Sequence, residues 1–215
     1  MSNLTLIRDF ARQKLGADKS GHAFDHLERV ARTAKYLAQK EGADLFQVQA
    51  AAYLHDVIDE KIVANSKEAL IEVCDFLRGL DLEATIVDDL LYTIDNMSFA
   101  KTLTDQEVKL SLSGQIVQDA DWLDAIGAIG ITRAIYYGGR HGETIYDPKQ
   151  PPRENLSYED YRNLADETII NHFYEKLLKI KDQLNTSAAK DIATHRQNVM
   201  LDFLDEFKAE WRAER

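Results

Sequence analysis

The chain is poor in cysteine, in proline and in positive charge, and each shortage closes off a class of protein. Its single cysteine, Cys74, leaves no disulfide framework. Cys74 sits among Leu70, Val73, Phe76 and Leu77, where a thiol is expected to fill core space rather than do redox chemistry. The three prolines, Pro148, Pro151 and Pro152, share one short segment, so residues 1–147 and 153–215 lack the strongest helix breaker. With 26 basic and 37 acidic side chains the formal net charge is −11, a field that repels nucleic acid polymers and anionic membranes. A small phosphorylated ligand is still allowed, because a metal ion and a few local Arg or Lys residues reverse the field inside one cleft. No stretch approaches the ~18 uncharged apolar residues of a membrane span. The opening MSNLTLIRDFARQ carries Asp9 and no apolar run of signal-peptide length. The expected compartment is the cytoplasm, with no membrane partner.

The apolar residues that are present recur with helical spacing. Phe24, Leu27, Val30, Ala31, Ala34, Leu37 and Ala38 form one stripe ending near Lys40, whereas a strand would alternate. The same period returns in 45–58, 66–79, 82–97, 158–181 and 188–211. Asn65 with Glu68 and Thr104 with Glu107 read as capping boxes. The expectation is an all-α fold of about eight helices around one core, a single domain over residues 1–215. Gly114, Gly127 and Gly130 lie within an otherwise helical pattern, each costing ~1 kcal/mol against Ala unless it serves close packing, and the small residues Ala125, Gly127, Ala128 and Gly130 predict a helix pressed tightly against a neighbour. The one long connection, Gly138 to Leu156, contains three glycines and all the prolines; it is either a lid over a site or an excursion between two helices.

The sharpest chemical feature is His55-Asp56 at the end of AAAYLHDVID. A charged Asp in such a frame costs several kcal/mol to bury unless something pairs with it, and a metal ion is such a partner. Adjacent helical residues project about 100° apart, so the pair approaches one ion from two directions and other segments must complete the shell. His26, in HLERVA, and Asp121, an acid in the apolar frame IVQDADWLDAIGAIGI, are placed to do so. Two imidazoles and two carboxylates suit Mn²⁺, Fe²⁺, Co²⁺ or Zn²⁺.

The order H…HD…D, with HxxRV at His26 to Val30, LHDV at Leu54 to Val57 and QDADxLDAIGAIG at Gln118 to Gly130, resembles the HD-domain phosphohydrolase superfamily over nearly the whole chain. The resemblance implies a helical HD-domain bundle that binds divalent metal through His26, His55, Asp56 and Asp121. It is similar to a bacterial subgroup of HD hydrolases, some of them similar to manganese-dependent nucleoside triphosphate pyrophosphohydrolases. Mn²⁺ is therefore the favoured metal, with Mg²⁺, Fe²⁺, Co²⁺ and Zn²⁺ also acceptable. In the related guanosine tetraphosphate hydrolases a Glu-Asp pair follows HD at the spacing of Asp59 and Glu60. Here the order is Asp-Glu, which leaves open which acid would orient or deprotonate the attacking water; the alternative is two solvated acids at a helix end.

Other residues have two readings each. His22, four before His26, is a phosphate contact or an outer partner of the ligands, or else a solvated loop histidine; HAFDH is not the zinc-protease HExxH, because Asp25 does not occupy the Glu position. Arg29, Lys61, Lys101 and Arg133 are the basic residues closest to the motifs, and each either neutralises phosphate or makes a surface ion pair. Asp124, at i+3 from Asp121, is expected to support that ligand while Asp119 points away. Tyr136, Tyr137 and His141 adjoin the long connection and are candidates for a base pocket; His172 and His195 read as core or surface histidines.

A bound divalent ion lowers the pKa of water toward ~7 and polarises a phosphoryl oxygen, so no serine or cysteine nucleophile is required. The expected substrate is a small nucleotide, with a nucleoside triphosphate cleaved to monophosphate and pyrophosphate as the leading reaction. A phosphomonoesterase or alarmone hydrolase on the same site, and a regulatory protein that binds nucleotide without turnover, are the rivals. A homodimer is open.

Overall fold

A computed structural model describes residues 1–16, 24–59, 62–103, 107–154 and 167–215. Among them no β-strand forms, only a single bridge between Thr144 and Thr168, so the all-α expectation holds. No helix among the described residues is long and apolar enough to cross a membrane. Internal contacts divide the chain into two units, residues 1–121 and 122–215.

In the first unit, α1 (Asn3–Leu15) is capped by Ser2, whose side chain accepts from the Thr5 amide. The α2 helix (Phe24–Glu41) buries Leu27, Val30, Ala31, Ala34, Leu37 and Ala38 and leaves Arg32, Lys35, Gln39 and Lys40 in solvent, as its period predicts. The α3 helix (Leu45–Leu54) begins at Asp44, which accepts from the Gln47 amide. It is buried nearly all round, and it packs on α1, on α2 and on α5 (Ala84–Asn96). The small side chains of Ala50, Ala51 and Ala52, all buried, let those neighbours approach. The α4 helix (Ser66–Arg78) is capped by Asn65, which accepts from the Lys67 and Glu68 amides. Cys74 is only partly buried on its flank, a correction to the core reading: Val73 and Leu77 take the inward positions. A 3-10 turn (Phe99–Leu103) precedes α6 (Leu112–Asp124). A Cβ on Gly114 would lie 2.8 Å from Thr93 Oγ1 on α5, so this glycine serves close packing.

The boundary between the units falls within the last turn of α6. In the second unit α7 (Gly127–His141) starts at Gly127 with φ +76, where a Cβ would lie 2.9 Å from the Arg196 side chain; only glycine meets both demands without strain. The helix runs past the expected loop start at Gly138 and stops at Gly142, φ 71, a left-handed cap. After it come α8 (Ile169–Glu175), a 3-10 turn (Leu177–Lys179), α9 (Ile180–Gln183) and the long α10 (Ser187–Trp211). The continuous helix expected over 158–181 is thus broken where it is described, at Lys176, whose φ −133 and ψ −60 leave the helical region. Residues 158–166, and the capping position Thr104, lie outside the described residues. Phe173, Phe203, Phe207 and Trp211 form a run of ring contacts at 5.7 to 6.1 Å that fastens α10 to α8.

Candidate metal centre

Four side chains of the first unit converge. His26 lies in the first turn of α2 and is buried. His55 is the residue at which α3 ends, and Asp56 follows it; both are buried. The helix expected over 45–58 stops at Leu54, because the next amides bond three residues back, Val57 to Leu54 at 3.0 Å and Asp59 to Asp56 at 3.1 Å. The HD dipeptide therefore occupies a tight turn, not a helical face.

The Nε2 atoms of His26 and His55 are 3.2 Å apart. Asp56 spans them, with Oδ2 3.3 Å from the His26 nitrogen and Oδ1 3.2 Å from that of His55. Asp121 Oδ1, from α6, lies 3.3 Å from His26 Nε2 and 3.6 Å from His55 Nε2. An ion with donor bonds of ~2.1 Å has donor–donor edges of about 3.0 Å at right angles and about 3.4 Å in a tetrahedron. The observed separations are of that size, so the donor set fits one divalent ion. The same grouping of two imidazole nitrogens and two carboxylates suits borderline metals.

Second contacts fix how the donors face. His55 Nδ1 is 2.9 Å from the Ala52 carbonyl; with that nitrogen donating its proton, the neutral ring turns the Nε2 lone pair into the cluster. Burial works to lower the His55 pKa, but the Asp56 and Asp121 carboxylates outweigh it and the net shift is upward. Burial works to raise the Asp121 pKa, but hydrogen bonds from His26 and His55 outweigh it and hold the acid well below the ordinary carboxylate range. Without a metal the carboxylates thus favour the charged form of His55 and the imidazoles favour the charged form of Asp121; a divalent ion would take the place of the proton. The Asp121 side chain is 26% exposed against 1% for His26, so the cluster opens to solvent beside Asp121.

The other described residues singled out from the sequence are divided between the two units. Asp59 sits half-buried in the turn after Asp56. Arg29 donates to Asp25 at 2.6 Å, one turn earlier on α2. Lys101 lies in the 3-10 turn, and Asp119 is buried in α6. In the second unit Arg133 pairs with Asp124 at 2.7 Å, so Asp124 carries a cation of its own. There too, His172 contacts Glu167 at 2.6 Å, His195 is exposed, Tyr136 is exposed and Tyr137 meets His141 at 4.1 Å between ring centres. His22, Glu60 and Lys61 lie outside the described residues. The sequence had Phe24 only as a member of the apolar stripe and did not single out Arg8, Arg12 or Tyr53; the four pack around the helix ends carrying His26 and His55, and two arginines four apart on a surface helix carry no signal of that role. Burial, then the Glu28 charge, raise the Tyr53 pKa against the opposing Arg8 cation.

The model of the HD domain family matches residues 23–126, which hold all four converging side chains. A protein of Lactobacillus plantarum of solved structure is 51% identical with a TM-score of 0.87, the match covering 98% of this chain and 97% of that one. An HD-superfamily hydrolase from Bacillus thuringiensis is 38% identical, TM-score 0.76, over 98% and 97% of the two chains. The structure of Bacillus subtilis YpgQ in complex with ADP matches at 32% identity, TM-score 0.77, over 97% of each chain. With the His–His–Asp cluster in place, the HD domain model matched and an HD-superfamily hydrolase similar at 38% identity over nearly the full length of both chains, the chain belongs to the HD superfamily, the metal-dependent phosphohydrolases.

Proposed function

We propose that His26, His55, Asp56 and Asp121 hold one divalent ion, Mn²⁺ by preference, and that the protein hydrolyses a phosphate bond in a small nucleotide. The leading reaction is cleavage of a nucleoside triphosphate to monophosphate and pyrophosphate. The observation that carries the reading is the meeting of two imidazole nitrogens and two carboxylates at 3.2 to 3.6 Å. The bound ADP of YpgQ, a relative matched along its whole length, supports a nucleotide as the ligand class. When bound, the metal supplies Lewis acidity toward a phosphoryl oxygen and a lowered pKa for water.

The chain's own groups do the rest. Asp59, held one turn beyond Asp56 by the bond between their backbones, is the candidate to accept the proton of the attacking water, with Glu60 as the alternative. Asp121, the most open of the four donors, faces the side from which substrate enters. Arg133, whose guanidinium donates to Asp124 at 2.7 Å, is a phosphate contact in this reading, because a guanidinium has further donors for a second anion. Arg29, Lys101, Lys61 and His22 are further phosphate contacts in this reading.

Phosphorus NMR of the purified protein with Mn²⁺ and a panel of nucleoside triphosphates, monophosphates and guanosine tetraphosphate tests it. Pyrophosphate appearing with a nucleoside monophosphate is expected. Orthophosphate from a monophosphate, or pyrophosphate from guanosine tetraphosphate, selects a different hydrolase on the same site. Absence of turnover with the metal bound overturns the enzyme reading in favour of a nucleotide-binding protein.

A further inference from the structure

The two imidazoles of the centre sit on different helices, and something must hold those helix ends at a fixed approach. In a helix of about 3.6 residues per turn, positions two apart point about 200° from one another and positions four apart share a face. Phe24 and Glu28 therefore share a face of α2 turned away from His26. Tyr53 lies in the last turn of α3, two residues before His55. The first helix lies behind both. Arg8 and Arg12, four apart and so on one face of α1, each reach the back of α2. The Arg12 guanidinium carbon stands 4.5 Å over the Phe24 ring, and that of Arg8 stands 5.8 Å from the same ring. Arg8 Nε is 2.7 Å from Glu28 Oε1. The Phe24 ring lies 12° from parallel to the buried ring of Tyr53, 6.4 Å between centres. Arg12, Phe24 and Tyr53 thus make a connected series from α1 through the start of α2 to the end of α3, behind the two histidines.

We infer that Arg12 is a positioning residue for the metal centre: stacked on Phe24, it clamps the first turn of α2 against Tyr53 and so sets the approach of the His26 and His55 nitrogens. Arginine suits this place, because its planar, weakly hydrated cation lies flat on an aromatic face. The clamp acts on how well the donors are prearranged, and its loss is read as weaker metal binding, not as loss of the fold. An internal control exists on the same helix. Lys14 makes the same kinds of contact, 5.6 Å over the Phe10 ring and 2.5 Å from Glu72, but it faces α4, through the Phe10–Phe76 stack at 4.1 Å, and carries no link to either histidine. The inference rests on the assignment of His26, His55, Asp56 and Asp121 as metal ligands.

The test is Mn²⁺ affinity of the full chain, read from the electron paramagnetic resonance signal of free Mn²⁺, beside thermal unfolding of the metal-free protein. Arg12→Gln and Phe24→Leu are each expected to weaken Mn²⁺ binding by about tenfold, the scale of lost supporting contacts around metal ligands. The double variant is expected to lose no more than either alone, and Arg12→Lys, which keeps the charge but not the planar stack, to recover only part of the affinity. Lys14→Gln is expected to leave affinity within twofold while lowering the metal-free melting temperature as much as Arg12→Gln does. Arg12→Gln binding within twofold of wild type, or Lys14→Gln losing as much affinity, overturns the clamp. His55→Ala retaining full affinity overturns the metal-centre assignment itself, and the clamp with it.

Discussion

Replacing Arg153 by Ala offers a quantitative probe of the second unit. Arg153 stands just after the Pro151-Pro152 pair, and its backbone amide donates to Glu175 Oε1 at 2.8 Å while Nε and Nη2 donate to Glu175 Oε2 at 3.0 and 2.6 Å. Its Nη2 is also 3.7 Å from Glu167 Oε1. The Glu175 side chain is 1% exposed. Removing the guanidinium strands a buried carboxylate, a loss that costs about 3–5 kcal/mol in buried pairs. Glu167 keeps His172 at 2.6 Å, which places the expected cost near the lower bound, about 3 kcal/mol. For a chain of this length that is a fall of about 6–12 °C in melting temperature. Glu175→Gln alone removes the charge but keeps an acceptor for the Arg153 amide, and Arg153, partly exposed, can turn to water; its expected cost is about 1 kcal/mol. In the double variant no stranded charge remains, so its stability is expected to exceed that of Arg153→Ala by about 1–2 kcal/mol. Thermal unfolding followed by circular dichroism, in chelator and at neutral pH, gives all four values. A cost below about 1 kcal/mol for Arg153→Ala, or strict additivity in the double variant, refutes a buried pair that ties 143–154 to α8.

Two other outcomes bear on the centre and on pH. Wild-type protein in Mn²⁺ at 100 times its dissociation constant is expected to gain about 2.7 kcal/mol, a rise of about 5–11 °C in melting temperature; His55→Ala is expected to lose nearly all of that rise, and an equal rise in the variant counts against His55 as a ligand. Burial and the Glu167 charge raise the Glu143 pKa above its ordinary value, with His172 and His141 opposing, so the folded state holds this proton more tightly than the unfolded chain. The stability it contributes is therefore present below the ordinary value and lost as pH climbs through the raised one. Glu143→Gln is expected to melt above wild type at pH 8 by about 1–2 °C and level with it near pH 4; a difference independent of pH would show that charge is not its source.

Much of the centre was legible because each donor is an anomaly within an apolar pattern. The stripe from Leu27 to Ala38 gave the buried face of α2, and His26 stands on it at the first turn. Asp56 and Asp121 were acids in apolar frames, which burial alone cannot explain. What stayed hidden depends on backbone geometry or on distant partners. The period over 45–58 is equally well satisfied by a helix or by a helix followed by tight turns, so nothing local reported that α3 stops at Leu54. The break at Lys176 lies inside a helical pattern, and Arg153, which fixes the preceding Glu175, stands 22 residues away in sequence. Arg12 looked like any solvated arginine, because a cation on a ring of another helix leaves no period to read.

The turn after Leu54 also explains how so short a motif chelates. On a continued helix, the His55 and Asp56 side chains would diverge by about 100°, and the acid would face one neighbour only. In the turn, the Asp56 carboxylate instead lies between the two imidazoles, one oxygen beside each. The Ala52 carbonyl, no longer committed to an amide four residues on at position 56, meets the His55 ring nitrogen. One departure from the helix therefore places the carboxylate and orients the imidazole together. Because α3 is packed on α1, α2 and α5, the point at which it ends is fixed by the core, and the chemistry of the centre inherits its precision from the least polar helix of the first unit.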